Sequence, residues 1–377
     1  MYQNDNKYMK VQLRKPFFPD KSIKRIQYKI KECLTSGQLT LGKNVKLFEE
    51  NFSKYINMKY AVGVSSATAG LHLSLLSIDI KNDDEVIVPS KTFISTANSA
   101  LYCNAKPVFC DVDESTFQLN PLKLEQLITS KTKAIIPVHL GGNICEMNEI
   151  KNIAKKHNLI IIEDAAHAHG STLNGKMAGT FGHIGVFSFY PDKIMASSDG
   201  GIIVTNDRKI FEKLLLLRNV GRKNIGEYNY TEIGYNYRMN EIQAILAQEQ
   251  LKLLPKMLKR RRDIANLYNY GLKDIPNLHC QKIVKDVNSA YYSYVMKLTK
   301  GNLKKFRKML KEKGIETSPM FTTIYKTKIY EKISIFSNNC PISEILDNQT
   351  FTIPLHVGIT NTEVDYVIKT IKKILDF

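Results

Sequence analysis

The sequence predicts an α/β protein: a large domain on a mainly parallel seven-stranded sheet, followed by a smaller α+β domain at the C-terminus. Three observations carry this. Up to residue 204, short β-branched runs alternate with helical patterns, as in a parallel sheet covered on both faces. After residue 204 the pattern turns helical, and beyond Pro255 short strands and helices mix. The chain has 377 residues, 43% hydrophobic and 24% charged, enough for two packed domains and unlike a disordered or fibrous chain.

Taken in order, the segment 21–34, the turns at Gly37 and Gly42 and a helix over 43–55 pack beside one of the domains. Strands follow at 61–64, 85–88, 108–112, 134–138, 159–162, 185–188 and 201–204. Helices over 68–76, 95–102, 122–128 and 147–157 separate the early strands. Helical patterns then run over 208–218 and 240–254. Pro255 marks the boundary between a large domain (1–254) and a small one (255–377), the latter with strands at 290–298 and 351–355 and helices at 303–313 and 362–375.

The formal charge of +18 attracts anions. Its densest cluster, 256–262, reads as the solvated face of an amphipathic helix starting at Pro255, with Met257, Leu258, Ile264 and Leu267 turned inward. No zinc-finger spacing or basic-aromatic ladder supports nucleic acid binding. No run approaches the length of a membrane span, and the polar N-terminus lacks a signal-peptide apolar region, so the expectation is a cytoplasmic protein. Six scattered cysteines suggest reduced thiols, and the histidines offer no metal-binding spacing.

Open parallel sheets bind ligands beyond the carboxyl ends of their strands, and three clusters fall there. After the first strand, the small-residue turn 65–70 opens a helix. Its N–H groups, with hydroxyls from Ser66 and Thr68, suit a phosphate, although a plain N-cap explains the turn equally well. Glu163 and Asp164 end a strand just before His167. An aspartate there suits a protonated ring nitrogen of a cofactor, or caps a helix. Lys193 lies on a loop five residues after Ser188, a place for a Schiff-base lysine if burial or a neighbouring cation lowers its pKa. A phosphate cradle, an aspartate and an imine-forming lysine together are what pyridoxal 5′-phosphate requires.

With these motifs in place, the chain resembles the DegT/DnrJ/EryC1 family of sugar aminotransferases, within the fold-type I pyridoxal-phosphate enzymes. The matching stretches are SSATAGLH (65–72), EVIVPSKTFIST (85–96), AIIPVHL (134–140), EDAAHAHG (163–170), SFYPDK (188–193), DGGIIVTND (199–207) and GYNYRMNEIQA (234–244). The resemblance implies that Lys193 is the catalytic imine lysine and Asp164 the pyridine partner. It implies that His167 contacts the ring hydroxyl, that Ala67, Thr68 and Ser188 bind the phosphate, and that Phe93 stacks on the ring. Asn236 and Arg238 lie in the segment that reaches the neighbouring subunit's cofactor, implying a homodimer with its active site at the subunit interface.

The sequence departs from the family pattern in places. Asp192 sits beside the lysine where a small or hydroxylated residue is usual, and a carboxylate there raises the lysine's pKa unless it faces away. Gly141-Gly142-Asn143 alters one pocket wall. In 320–325, Tyr325 or Thr323 stands where relatives often place a substrate-binding histidine. The activity implied is amination of a nucleotide-linked 4-keto-6-deoxyhexose by L-glutamate, by way of pyridoxamine 5′-phosphate. The alternatives are amination of a 3-keto sugar, or a regulatory protein that keeps the fold without turnover. The retained lysine argues against the family's dehydratase branch, and the nucleotide is not legible.

Overall fold

The central strands are four- or five-residue runs of mostly β-branched and small apolar side chains, nearly all buried, as a sheet between two helical layers requires. The computed structural model describes residues 9–224, 226, 228–333 and 339–376. Its main sheet contains β1 (Tyr60–Val64), β2 (Glu85–Pro89), β3 (Lys106–Cys110), β4 (Thr132–Ile135), β5 (Ile160–Asp164), β6 (Ile184–Ser188) and β7 (Gly201–Thr205). These lie in the order β1-β7-β6-β5-β4-β2-β3. The neighbours from β6 through to β3 pair in parallel. Only β7 runs the other way, antiparallel to both β1 and β6.

The two-residue period of the strands sorts their side chains into two cores. Val62, Val86, Ile162, Val186 and Ile203 face one layer, and Ala61, Ile87, Ile161, Phe187 and Ile202 the other. In the main sheet, expected and observed strands differ most at β4, which is Thr132–Ile135 against 134–138, and next at β3, where pairing of Glu85–Pro89 with Lys106–Cys110 sets the register two residues early. The expected helix at 122–128 is only a turn, Pro121–Leu124, followed by the 3-10 turn Glu125–Leu127, which buries nothing.

Helices α1 (Asp20–Ser36), α2 (Lys43–Ile56), α3 (Ala67–Ser77), α4 (Ser95–Tyr102), α5 (Met147–Lys156), α6 (Arg208–Arg218) and α7 (Glu241–Leu272) flank this sheet. The start of α2 rests on a buried carboxylate: Glu241 accepts from the backbone N–H groups of Gly42, Asn44 and Val45 at 2.9, 2.9 and 3.0 Å. A negative charge at a helix N-terminus satisfies otherwise orphaned donors and the helix dipole together.

Pro255 does not begin a helix; it lies inside α7, which is continuous over 32 residues. A proline removes one backbone bond, but the apolar face carrying Leu254, Met257 and Leu258 is buried without interruption across it. Ala244 to Leu258 pack into the large core, whereas Ile264, Ala265, Tyr268 and Leu272 pack into the C-terminal one. The reading of 256–262 as a solvated face is corrected at Arg261, which is buried and donates to the carbonyls of Tyr291, Tyr292 and Leu355. Leu267, expected inward, is exposed.

The C-terminal region forms an antiparallel sheet of β8 (Leu278–Cys280), β9 (Tyr294–Leu298), β10 (Ser318–Pro319) and β11 (Thr350–Ile353), in the order β8-β9-β11-β10. Helices α8 (Leu303–Glu312), α9 (Pro341–Asp347) and α10 (Asn361–Ile374) accompany it. The expected strand at 290–298 is shorter, because Tyr291 adopts a positive φ of 48° and the chain bends before β9. The N-terminal segment is strapped to this region: Val11 donates to Gly314 O (2.9 Å) and accepts from Glu316 N (3.1 Å). That strap carries Arg14 toward the carboxyl ends of the central strands.

Candidate active site

A cavity of about 780 Å³ opens beyond the carboxyl ends of β1, β2, β5 and β6. Of the residues singled out in the sequence, Ala67, Thr68, Phe93, Asp164, His167, Ser188 and Lys193 all line it. Asn236, Arg238 and Tyr325 do not.

The wall nearest the sheet is made where strands end and helices begin. On β5, alternation sends Glu163 and Asp164 to opposite sides. Glu163 is held by His139 Nε2 (2.8 Å) and the N–H groups of Gly179 (2.7 Å) and Gly182 (2.6 Å), a buried structural network. Asp164 faces the cavity and accepts from Thr96 Oγ1 (2.9 Å) and Ala166 N (3.2 Å). Burial raises its pKa, opposed by these two bonds and by Lys193.

The first turn of α3 forms the next part of this wall. Ser66 caps it, accepting from Ala69 N at 3.1 Å, so the N-cap reading holds for that hydroxyl. Thr68 Oγ1 donates to Ser95 Oγ at 2.8 Å, and both residues line the cavity. Strand β7 runs against this turn: a Cβ on Gly201 would lie 2.7 Å from both Ala67 N and the Ser66 carbonyl carbon. Glycine is therefore what lets β7 close on the turn.

Lys193 lies beyond β6, with its Nζ 3.5 Å from the Tyr292 hydroxyl and 4.6 Å from that ring's centroid. Burial depresses its pKa, and Arg14 lowers it further against the opposing carboxylates of Asp192 and Asp164. Asp192 does not face away and raises the lysine's pKa as expected, but burial outweighs it. One carboxylate oxygen, Oδ2, pairs with Arg14 and accepts from Tyr292 at 2.8 Å; the other, Oδ1, is 3.7 Å from Lys193 Nζ.

The opposite wall comes from Arg14, Tyr292 and the segment 318–322. His167 stacks on Tyr292, with centroids 4.0 Å apart. Burial pushes the His167 pKa well down, so the ring is neutral, and its buried Nδ1 has no hydrogen-bond partner. Phe321 is held at a φ of 39° by Lys91, whose Nζ donates to the Phe321 carbonyl (2.8 Å) and to Asp347 (2.6 Å). Sequence reading missed Arg14 and Tyr292. No local motif marks either residue, and only the N-terminal strap and the bend before β9 bring them to the cavity.

Tyr325 lies outside this wall. Its hydroxyl donates to Glu344 (2.6 Å) and accepts from Cys340 N (3.1 Å), and its ring packs on Phe109. Thr323 is likewise turned inward, its backbone N–H donating to Asp347. Phe321 and Thr322 face the cavity instead. Arg238 bonds Asn219 at 3.1 Å and bridges to Val64, and Asn236 bridges to Asn219, in a segment that flanks the site without lining it.

This donor set fits pyridoxal phosphate: a buried amine of reduced basicity, a buried carboxylate, a helix start, and an unpartnered buried imidazole nitrogen share one cavity. Comparison with known proteins agrees. Residues 20–372 match the model of the DegT/DnrJ/EryC1/StrS aminotransferase family. The chain is 36% identical to a GDP-perosamine synthase of Caulobacter vibrioides, covering 91% of this chain and 94% of that one. It is also 36% identical to the dTDP-3-amino-3,6-dideoxy-alpha-D-galactopyranose transaminase of Aneurinibacillus thermoaerophilus, covering 93% and 95%. The solved PLP-form of Spr1654 from Streptococcus pneumoniae superposes with a TM-score of 0.91 at 27% identity, covering 98% and 99%. The chain belongs to the DegT/DnrJ/EryC1/StrS aminotransferase family and is a pyridoxal-phosphate-dependent sugar aminotransferase.

Proposed function

We propose that this enzyme aminates the keto group of a nucleotide-linked 4-keto-6-deoxyhexose in the cytoplasm, with L-glutamate as donor and Lys193 as the cofactor-bearing lysine. The observation that carries the reading is the placement of Lys193 and Asp164 beyond the ends of adjacent strands, facing one cavity. When bound, pyridoxal phosphate supplies an electron sink for the carbon that gains or loses nitrogen. Asp164 would hold a proton on the pyridine nitrogen. Ser188, Thr68 and the N–H groups at Ala67 and Thr68 would hold the phosphate, where a helix start favours negative charge. His167 would meet the ring hydroxyl through its unpartnered nitrogen, and Phe93 would cover the ring.

Lys193 then moves a proton at the substrate carbon. Its depressed pKa supports that task, because a general base works best when it is part neutral near the operating pH. Asn236 and Arg238 act across a homodimer interface on the partner's cofactor phosphate. Their position beside this cavity supports that, as do the strongly exposed Tyr228 and Ile233 just before them.

The resemblance of the small-residue turn at 65–70 to that of the family's C4 transaminases favours amination at C4. The Aneurinibacillus relative, named for a 3-amino sugar, favours C3 as the second reading. The test is a half-reaction: enzyme loaded with pyridoxamine phosphate meets UDP-, dTDP- and GDP-linked 3-keto and 4-keto-6-deoxy sugars. Return of the lysine-bound cofactor's absorbance with a 4-amino product, identified by mass spectrometry, is the expected result. A 3-amino product establishes the second reading. No amine from any of these sugars rejects both.

A further inference from the structure

We propose that Arg14 is a positioning residue for Lys193: by holding Oδ2 of Asp192, it draws that carboxylate's charge to itself and leaves the lysine only a loose ion pair through Oδ1. The inference rests on the reading of Lys193 as the cofactor-bearing lysine.

Asp192 directly precedes Lys193 and forms a loose ion pair with it, so what else holds the carboxylate decides how strongly it acts on the lysine. Arg14 Nη1 and the Tyr292 hydroxyl (2.8 Å) both occupy Oδ2. Oδ1 is left buried, without a hydrogen bond, 3.7 Å from Lys193 Nζ. Arg14 is itself fixed: Nη2 donates to Ser293 Oγ at 3.1 Å, and its guanidinium lies 4.7 Å over the Tyr292 ring. Lys193 Nζ sits 4.6 Å from the same ring.

Tyr292 completes the clamp. Burial holds its hydroxyl pKa well above the ordinary value, so it keeps its proton and donates to Asp192. Arg261 bonds the Tyr291 and Tyr292 carbonyls and fixes the loop that presents this ring.

The charged and titratable groups around the amine are few. Asp192 adjoins it in the same turn, Arg14 comes from the N-terminal strap, and Asp164 ends β5. His167 and His169 follow β5, both neutral because burial lowers their pKa, His169 to about 3. Tyr292 comes from the loop before β9, and Arg261 from α7 lies close enough to act on Asp192 and Tyr292. Asp192 is thus the nearest anion, and Arg14 is its one ion-paired arginine among the described residues. Without Arg14, Asp192 would turn its full charge on the lysine and favour its protonated form.

The experiment titrates the absorbance of the lysine-bound cofactor against pH in the resting holoenzyme. Borohydride reduction and peptide mapping first identify the lysine that carries the cofactor. Arg14→Gln is expected to move the titration midpoint upward by about one pH unit. Arg14→Lys, which keeps a cation, should stay within about a third of that shift. In an Asp192→Asn background, Arg14→Gln should shift the midpoint clearly less, because only the arginine's direct charge on the lysine is then lost. The inference is overturned by an unmoved midpoint in Arg14→Gln, or by an equal shift in both backgrounds, which would mean that Arg14 acts on Lys193 only directly and not through Asp192. An adduct on a different lysine would instead overturn the underlying reading. Should Arg14→Gln fail to fold, the pair Asp192→Asn and Arg14→Lys/Asp192→Asn decides: a downward shift in the first is required, and the second must match it.

Discussion

The two walls of the cavity are built differently. The sheet-side wall is backbone-dominated: strand ends, a helix start and a close approach at Gly201 set the places of Asp164, Ser188 and Lys193. The opposite wall is made of side chains delivered from far along the chain, Arg14 from the N-terminus and Tyr292 and Phe321 from the C-terminal region. The first kind of wall is dictated by fold topology. The second is set by which side chains a few loops happen to carry. We therefore assign cofactor chemistry to the first wall and tuning to the second.

Variants can break or sharpen that contrast. The largest effect belongs to Lys193→Ala, expected to lower amine transfer by at least about a thousandfold in the half-reaction. A smaller loss would remove Lys193 from the chemistry. Asp164→Asn should cost about a hundredfold in the same assay, since a charged group aimed at the reacting system is lost. Retained rates would place the pyridine contact elsewhere.

The rate at which apoenzyme captures pyridoxal phosphate tests the amine itself. Only the neutral amine attacks, so capture rises with pH and levels off above the lysine's pKa. Because burial lowers that pKa, the midpoint should fall below the ordinary value of 10.5. Stopped-flow absorbance measures it, and a midpoint at or above the ordinary value would contradict the assigned environment. The smallest effect is at Tyr325. Tyr325→Phe should leave kcat/KM within about twofold while costing about 1 kcal/mol in urea unfolding, since its hydroxyl serves a structural bond. A large change in KM would return it to the substrate wall.

The sheet-side wall was legible because periodicity and turn chemistry are local. Alternation of apolar residues places the strand ends, and the acids, serines and lysine that follow them fall at one edge of the sheet. The same logic separates Glu163 from Asp164, which two-residue alternation must send to opposite sides. What local pattern does not carry is the path of a connection. Tyr292 reads as part of a continuous strand, and only the positive φ at Tyr291 turns it into the cavity. Arg14 lies in a stretch with no motif, and its place depends on pairing between Val11 and the 314–316 turn. Tyr325 misled for a related reason: its neighbour Phe321 takes a left-handed backbone conformation that shifts which residues of 320–325 face the cavity. At Pro255 the local rule was overridden, because burial on both sides of the proline outweighs one missing hydrogen bond.

Gly201 sets a limit on how this protein can be remodelled. With main-chain atoms 2.7 Å from where a Cβ would stand, no side chain fits there unless β7 retreats from the first turn of α3. The floor beneath the turn at 65–70 therefore offers protein engineers no adjustable position. Any library meant to redirect this enzyme to new acceptors should leave 66, 67, 201 and 292 constant and diversify 318–322, where a changed side chain reshapes the cavity without moving the turn at 65–70.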